Sequence, residues 1–279
     1  MSVRLSKLHG TGNDFLVTVA LDGGPAPGAD LARAVCDRNR GVGADGLITL
    51  LPGTEGADCT MELRNADGGI AEMSGNGIRC LAWVAKREGL GANGQLAVAT
   101  GGGRRDVVFG NTDGELRSAT VDMGPVTFEP AEIPINAPSA FDVAAEFHGV
   151  QYCGDAAGVG NPHWVLLVDD VESARVTQHG PRLETDERFP QRVNVEFLQV
   201  IDRGRLKMRV WERGVGETLS CGTGVCASAA VAHRRELVDS NLVVEVPGGE
   251  HTVELGDTAR LGGEVRHVFD VEIDVKDLT

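Results

Sequence analysis

The chain has 279 residues, of which 42% are hydrophobic, and a formal net charge of −15. This hydrophobic content is sufficient for packed cores and excludes a disordered chain, while the length suits two domains of ordinary size. The negative charge disfavours binding to nucleic acids and to anionic membranes. Because the chain has no signal-peptide stretch, no apolar run of membrane-spanning length and only six cysteines, we expect a soluble, cytoplasmic protein with reduced thiols.

Strand patterns dominate the sequence, and short turns separate many of them. In chain order the predicted elements are a helix over 30–39, a strand over 59–64, a helix that follows Ser74, strands over 95–100 and 104–109, a helix over 171–179, a strand over 205–213 and a helix that follows Cys221. Strands that follow one another closely favour antiparallel pairing. We therefore predict the α/β (α+β) class, with a mostly antiparallel sheet around one central helix in each half.

The boundary between the two halves is predicted from proline spacing. Four prolines fall between residues 123 and 140, as in an extended crossover. The predicted domains are 1–122, completed by a C-terminal strand at about 265–279, and 123–264.

One glycine-rich segment has the wrong context for nucleotide binding. GVGADG at 41–46 fits the G-x-G-x-x-G pattern, which in dinucleotide-binding proteins follows a strand and opens a helix. Here a helical pattern precedes the segment and the apolar run LITLL follows it. Since the sequence also lacks a Walker loop and an H-E-x-x-H pattern, we expect no nucleotide cofactor and no metal.

The chain contains an internal repeat. Residues 72–90 (EMSGNGIRCLAWVAKREGL) resemble residues 219–237 (LSCGTGVCASAAVAHRREL), so that Cys221 corresponds to Ser74 at a distance of 147 positions. A second match sets GTGNDF against GVGNPHW and Asn13 opposite Asn161. Two matches at nearly one spacing predict two pseudo-symmetric halves.

The repeated loops carry residues suited to proton transfer. Ser74 and Cys221 are each predicted at a helix N-terminus, where free amides can hold a carboxylate and the helix dipole can lower the pKa of a thiol. If the halves face each other across a cleft that forms the active site, these side chains would flank one carbon from opposite sides. Inversion of a stereocentre requires this arrangement, because one group removes a proton while the other supplies one. A helix cap and a buried apolar cysteine would give similar local patterns, and the duplication favours the catalytic interpretation.

Six segments together resemble the diaminopimelate epimerase family over nearly the whole chain. They are KLHGTGNDF, NRGVGADG, RNADGGIAEMSGNGIRC, GNPHWVLLVDD, ERFPQRVNVEF and VWERGVGETLSCGTGVCA. The resemblance implies a cofactor-independent epimerase that interconverts LL- and meso-diaminopimelate on the route to lysine and peptidoglycan. It also implies two pseudo-symmetric domains and assembly as a homodimer. The binding partner that it implies is the small-molecule substrate, diaminopimelate.

The resemblance also assigns site residues. Cys221 matches one of the two catalytic cysteines of the family, and Ser74 occupies the position of the other. His163 and Glu212 match residues that assist proton transfer. Positions that match carboxylate-holding loops are Gly75, Asn76, Gly222 and Thr223, and positions that match other substrate contacts are Asn13, Asn65, Asn161, Asn194, Glu212 and Arg213.

Ser74 departs from the family pattern and weakens the expected chemistry. A serine hydroxyl is a much weaker acid than a thiol. If the required ionised form is less accessible by three pK units, the barrier rises by about 4 kcal/mol, which is roughly a thousandfold in rate. The sequence thus predicts an epimerase impaired at Ser74, and leaves open a one-base dehydratase or isomerase of a related amino or hydroxy acid, and a non-catalytic amino-acid binder.

Overall fold

The protein is described by a computed structural model that covers residues 2–112 and 114–278. Within these residues the helices are α1 (Ala29–Cys36), α2 (Gly75–Arg87), α3 (Val176–Glu184) and α4 (Gly222–Arg234), with a short 3₁₀ turn at Val275–Leu278. The strands are β1 (Ser2–Gly10), β2 (Asn13–Val19), β3 (Gly46–Pro52), β4 (Cys59–Asn65), β5 (Ile70–Ala71), β6 (Gln95–Thr100), β7 (Gly103–Thr112), β8 (Glu115–Asp122), β9 (Val143–Phe147), β10 (Val150–Gly158), β11 (Pro162–Leu167), β12 (Asn194–Asp202), β13 (Arg205–Glu212), β14 (Gly216–Thr218), β15 (Asn241–Val246), β16 (Gly249–Leu255), β17 (Ala259–Glu264) and β18 (Arg266–Asp274). The predicted mixed α/β class is confirmed.

The chain divides into two compact units. Unit 1 is Met1–Asp122 with Gly262–Thr279, and unit 2 is Met123–Leu261. None of the helices among the described residues has the length and apolar character that a membrane crossing requires.

The two units repeat the same order of elements. In unit 1, β2 pairs in parallel with β3 and β4 in parallel with β6, while β1–β2, β3–β4 and β6–β7 are antiparallel. In unit 2, β11–β12 and β13–β15 are the corresponding parallel pairs, and β10–β11, β12–β13 and β15–β16 are antiparallel. The strand pairing within each unit is therefore mostly antiparallel, with two parallel junctions at matching places.

A central helix forms the middle of each unit. Ten of the 13 residues of α2 are buried, and so are ten of the 13 residues of α4. The helix α2 contacts β1, β2, β3 and β8, and α4 contacts β10, β11, β12 and β16. Burial around most of its circumference explains why α4 lacks the one-sided apolar stripe of a surface helix.

One predicted helix is displaced. A helix was expected over 171–179, but α3 begins at Val176 and continues to Glu184. Residues 171–175 instead form a turn in which Asp170 accepts hydrogen bonds from the backbone N–H of Glu172 and the hydroxyl of Ser173. Pro181 lies inside α3, and proline within a helix obscures the sequence pattern on which such a prediction depends.

Candidate active site

The starts of α2 and α4 have the same backbone geometry. Ser74 precedes α2 with φ −139° and ψ 123°, and Cys221 precedes α4 with φ −123° and ψ 107°. Both helices span 13 residues and end at residues of nearly identical conformation, Glu88 and Arg235. The repeat seen in the sequence is therefore a repeat of structure, and the first-turn N–H groups that follow each cap residue have no acceptor within their helix.

Ser74 caps α2 with its side chain. Its Oγ accepts a hydrogen bond of 3.0 Å from the backbone N–H of Gly77. This is the usual N-cap interaction of a serine, which stabilises a helix by about 1 kcal/mol. The hydroxyl oxygen of Ser74 thus has a structural role in the resting protein.

A chain of polar contacts in unit 1 links two of the predicted binding residues. Asn76 is buried, and its Oδ1 accepts a hydrogen bond of 2.7 Å from Arg79 Nη2. The Nδ2 of Asn76 donates to the Oδ1 of Asn13 at 3.4 Å, and the Nδ2 of Asn13 donates to the carboxylate of Asp45. Arg79 also donates to Thr11 at 2.9 Å, so the fully buried guanidinium ties the loop between β1 and β2 to α2.

Asn65 stands apart from this chain. It ends β4 with an exposed side chain, and its backbone N–H and carbonyl form the turn that leads to Gly69. Ser74, Gly75 and Asn76 are consecutive, so unit 1 assembles Asn13 with this loop and leaves Asn65 on the exposed end of a strand.

Asp14, beside Asn13, belongs to a charge cluster. Burial alone would raise the pKa of Asp14, but hydrogen bonds from Arg38 and Lys7 and their positive charges lower this pKa to about 2. Arg38 also contacts Asp45 at 2.8 Å. The cluster fixes the strand from which Asn13 projects.

We expect Asp14→Asn to reduce the free energy of unfolding at neutral pH by about 2 kcal/mol, because the ionised carboxylate is favoured in the folded state. A lowered folded pKa gives stability that is present above the unfolded pKa and lost as the pH falls towards the folded one. Urea unfolding of both proteins should show a full difference at about pH 6 that is roughly halved at about pH 3. A difference independent of pH would contradict the charge-based explanation.

Cys221 is buried among carboxylates in unit 2. Burial raises the pKa of its thiol well above the ordinary value, and the negative charges of Glu212 and Glu196 act in the same direction. The hydroxyl of Thr223, 3.5 Å from Sγ, and the N–H of Gly224 lower the pKa by a smaller amount. The sequence-based expectation that the helix N-terminus would lower this pKa is therefore wrong for the resting protein, because burial and nearby carboxylates outweigh the helix dipole.

Glu212 is the carboxylate that contacts the thiol. Burial raises its pKa, and so does the charge of Glu196, whereas hydrogen bonds from Thr218 and Cys221 lower it. A carboxylate with a raised pKa beside a thiol with a raised pKa is suited to exchanging a proton with it.

His163 is held at both ring nitrogens. Its Nε2 lies 2.8 Å from Asn161 Oδ1, and its Nδ1 lies 2.6 Å from Glu196 Oε1. The side chains of His163 and Glu196 are fully buried. Asn161 and His163 are thus brought together.

Asn194 and Arg213 meet at the start of β12. The Oδ1 of Asn194 accepts a hydrogen bond of 2.9 Å from the backbone N–H of Arg213, and its Nδ2 donates to the carbonyl of Pro162. A carboxamide oxygen can accept two hydrogen bonds and the nitrogen can donate two, so each has capacity beyond the contact named here. The Arg213 side chain contacts the carbonyl of Gln191 at 3.3 Å.

Comparison with known proteins identifies the family. The model of the family described as diaminopimelate epimerase matches residues 5–129 and 156–268. The chain is 41% identical to a diaminopimelate epimerase of Stutzerimonas stutzeri over 98% of this chain and 99% of that one. It is also 41% identical to a diaminopimelate epimerase of Desulforudis audaxviator, with 96% and 98% covered.

The chain belongs to the diaminopimelate epimerase family. It is therefore an enzyme of the isomerase class. A solved hydroxyproline epimerase of Agrobacterium vitis shares the fold, with a TM-score of 0.69 and 18% identity over 98% of this chain and 91% of that one. At that identity the likeness shows the fold alone.

Sequence reasoning missed some residues that contact the predicted site residues. They are Thr11, Asp45, Arg79, Glu196 and Thr218. Arg79 and Glu196 fall at positions where a buried apolar side chain is the usual expectation. Alignment of the two halves would have found Glu196, because the repeat sets a buried charge opposite Ile48.

Proposed function

We propose that the protein interconverts LL- and meso-diaminopimelate by proton transfer at Cα without a cofactor, with Cys221 and Ser74 as the two proton-transferring positions. The observation that carries this proposal is the matched pair of helix caps, each followed by Gly-x-Gly and each at the start of a buried central helix. Membership of the diaminopimelate epimerase family supports the choice of substrate.

The carboxylate beside the reacting carbon is bound by the two loops in this proposal. Gly75 and Asn76 supply first-turn N–H groups in one unit, and Gly222 and Thr223 supply them in the other. Such groups carry the positive end of the helix dipole and favour an anion. Glycine allows the backbone to approach the ligand closely.

The proton route in unit 2 begins at the thiol. Cys221 is protonated at rest, because its pKa lies well above its ordinary value. In one direction its S–H supplies the proton that Cα receives, and Glu212 restores it. In the other direction Glu212 accepts the thiol proton, the thiolate removes the Cα proton, and the S–H bond forms as the C–H bond breaks.

The remaining binding residues recognise the rest of the substrate. Arg213 offers a paired set of N–H donors to the distal carboxylate. Carboxamides both donate and accept, which suits a substrate with two ammonium and two carboxylate groups. These carboxamides are Asn13, Asn65, Asn161 and Asn194.

Ser74 impairs proton transfer on its own side of the reacting carbon, and therefore slows inversion in both directions. Its hydroxyl ionises far less readily than a thiol, and its oxygen already accepts a hydrogen bond from Gly77. Serine and cysteine have similar side-chain volumes, so serine at position 74 should leave substrate binding intact while inversion is slow.

Proton NMR in deuterium oxide with each isomer tests the function. We expect saturable binding of both isomers and slow epimerisation. For one isomer, exchange of the Cα hydrogen for deuterium should exceed epimerisation, because Cys221 alone can remove and return a proton on its own side. No binding and no exchange with either isomer would refute the proposed substrate.

The two alternatives have their own signatures in this experiment. A one-base dehydratase or isomerase would release a product from a β-substituted or hydroxylated amino acid while leaving diaminopimelate unchanged. A non-catalytic binder would bind with no exchange of Cα hydrogen.

The working form in this proposal is a cytoplasmic homodimer. All six cysteines are free thiols, as expected for a reducing compartment. On β18 the neighbouring residues Val268 and Phe269 are 53% and 42% exposed. Val268 lies where a β-bulge interrupts the register of β18 with β1, so these two neighbouring side chains offer apolar surface to a second copy.

We expect Val268→Lys with Phe269→Lys to reduce the mass measured by light scattering from that of two chains to that of one, because charge would disrupt an apolar interface. Ile201→Lys is the matched control, since Ile201 is 46% exposed on β12 and lies outside this patch. A dimer that survives the double substitution would exclude β18 as the interface.

A further inference from the structure

A buried acid and a buried histidine form a pair beside Cys221. Glu196 Oε1 lies 2.6 Å from His163 Nδ1, and neither side chain has any exposed surface. Among the described residues, Glu196 Oε2 has no hydrogen-bond partner. A Cβ added at Gly224, in the first turn of α4, would lie 2.6 Å from Glu196 Oε1 and 3.3 Å from Cys221 Sγ. The carboxylate therefore packs directly beneath the helix start that presents the thiol.

Unit 1 builds the same place from apolar residues. Phe15 and Ile48 lie 148 positions before His163 and Glu196. The strand registers match, because Phe15 pairs with Gly46 as His163 pairs with Asn194. Ile48 likewise packs beneath the first turn of α2, where a Cβ added at Gly77 would lie 3.0 Å from its Cδ1. The fold thus needs no charge at this position.

Stability does not explain the polar pair either. Removing a carboxylate and an imidazole from water is costly, and replacing a buried ionic pair with apolar residues of similar size is often neutral or stabilising. A pair present in one unit and absent from its structural copy is therefore attributable to the chemistry of unit 2.

We propose that Glu196 is a positioning residue that fixes the orientation and proton arrangement of His163 and holds a negative charge beside Cys221. This inference rests on the proposed epimerase function for its kinetic consequence. Asn161 Oδ1 accepts from Nε2–H, so Nδ1 and Glu196 Oε1 hold one proton between them. His163 is thereby kept from turning, and the proton that it can exchange is the one that it shares with Glu196.

Two variants separate positioning from structure. Glu196→Gln keeps the shape and removes the charge. The double change His163→Phe with Glu196→Ile gives unit 2 the pair of unit 1. In the Ser74→Cys background, where turnover is measurable, Glu196→Gln should lower kcat by 10- to 100-fold and alter KM by less than about threefold, within the range for a group assisting proton transfer. The double variant should have a lower kcat than Glu196→Gln. Its urea midpoint of unfolding should equal or exceed that of the parent protein.

A matched control is available in the same unit. Asp155 is another fully buried carboxylate, held by Arg235 on the far end of α4. Asp155→Asn should lower the urea midpoint and leave kcat within about twofold, since a purely structural acid acts on stability.

Alkylation of Cys221 gives a readout that needs no diaminopimelate. Removal of the negative charge in Glu196→Gln should speed reaction of Cys221 with iodoacetamide severalfold near pH 8, followed by peptide mass spectrometry, while Asp155→Asn should leave this rate unchanged. If no form acts on diaminopimelate but alkylation responds as expected, the substrate is refuted and the role of Glu196 stands. Unchanged kcat and unchanged alkylation in Glu196→Gln, or a double variant that unfolds more readily than its parent, would overturn the inference.

Discussion

Replacing Ser74 with cysteine is expected to raise the rate of epimerisation by roughly a thousandfold, which corresponds to about 4 kcal/mol of barrier. The thiol restores an acid that ionises far more readily than a hydroxyl at the second proton-transferring position. The same change should lower the free energy of unfolding by about 1 kcal/mol, because sulfur is a weak acceptor for the Gly77 N–H that Ser74 now caps. Proton NMR in deuterium oxide measures the rate of epimerisation, and urea unfolding measures the change in the free energy of unfolding.

Ser74→Ala is the control for this gain. It removes the cap without adding an acid, so stability should fall as in the cysteine form while epimerisation stays at or below the present rate. Equal rates for the serine and cysteine forms would mean that position 74 takes no part in proton transfer.

Cys221→Ala in the Ser74→Cys background is expected to lower epimerisation on the order of a thousandfold, the usual scale for losing a positioned acid or base. Exchange of the Cα hydrogen should fall similarly for the isomer whose proton faces position 221 and persist for the isomer whose proton faces position 74. Binding should persist, since the first-turn N–H groups of Gly222 and Thr223 are unchanged. Deuterium exchange at Cα, followed separately for LL- and meso-diaminopimelate, measures the effect.

Cys226→Ala is the matched control, because Cys226 is a buried cysteine on the same helix. Its loss should reduce stability and leave both rates within about twofold. An equal loss of activity in the two variants would indicate that α4 tolerates no change, rather than that Cys221 reacts.

The sequence predicted the repeat and the helices beginning after Ser74 and Cys221 because glycine spacing and small residues are local signals. It also predicted the strand at 95–100, whose alternation is regular. The pKa of Cys221 was misjudged, because burial and the approach of Glu196 and Glu212 are set by strands distant in sequence. The displaced start of α3 has a similar origin, since the turn at Asp170 competes with helical hydrogen bonds.

The two units share one scaffold, and the residues at which they differ determine which groups lie beside positions 74 and 221. In unit 1 the residues at the corresponding places, Phe15 and Ile48, are apolar, so they supply no acid or base group to position 74. In unit 2, Glu212 and Glu196, the latter paired with His163, place ionisable groups beside position 221. A chain made of two copies of unit 1 would keep the scaffold, with apolar residues at this place in both halves, and would lose the acid and base groups beside position 221.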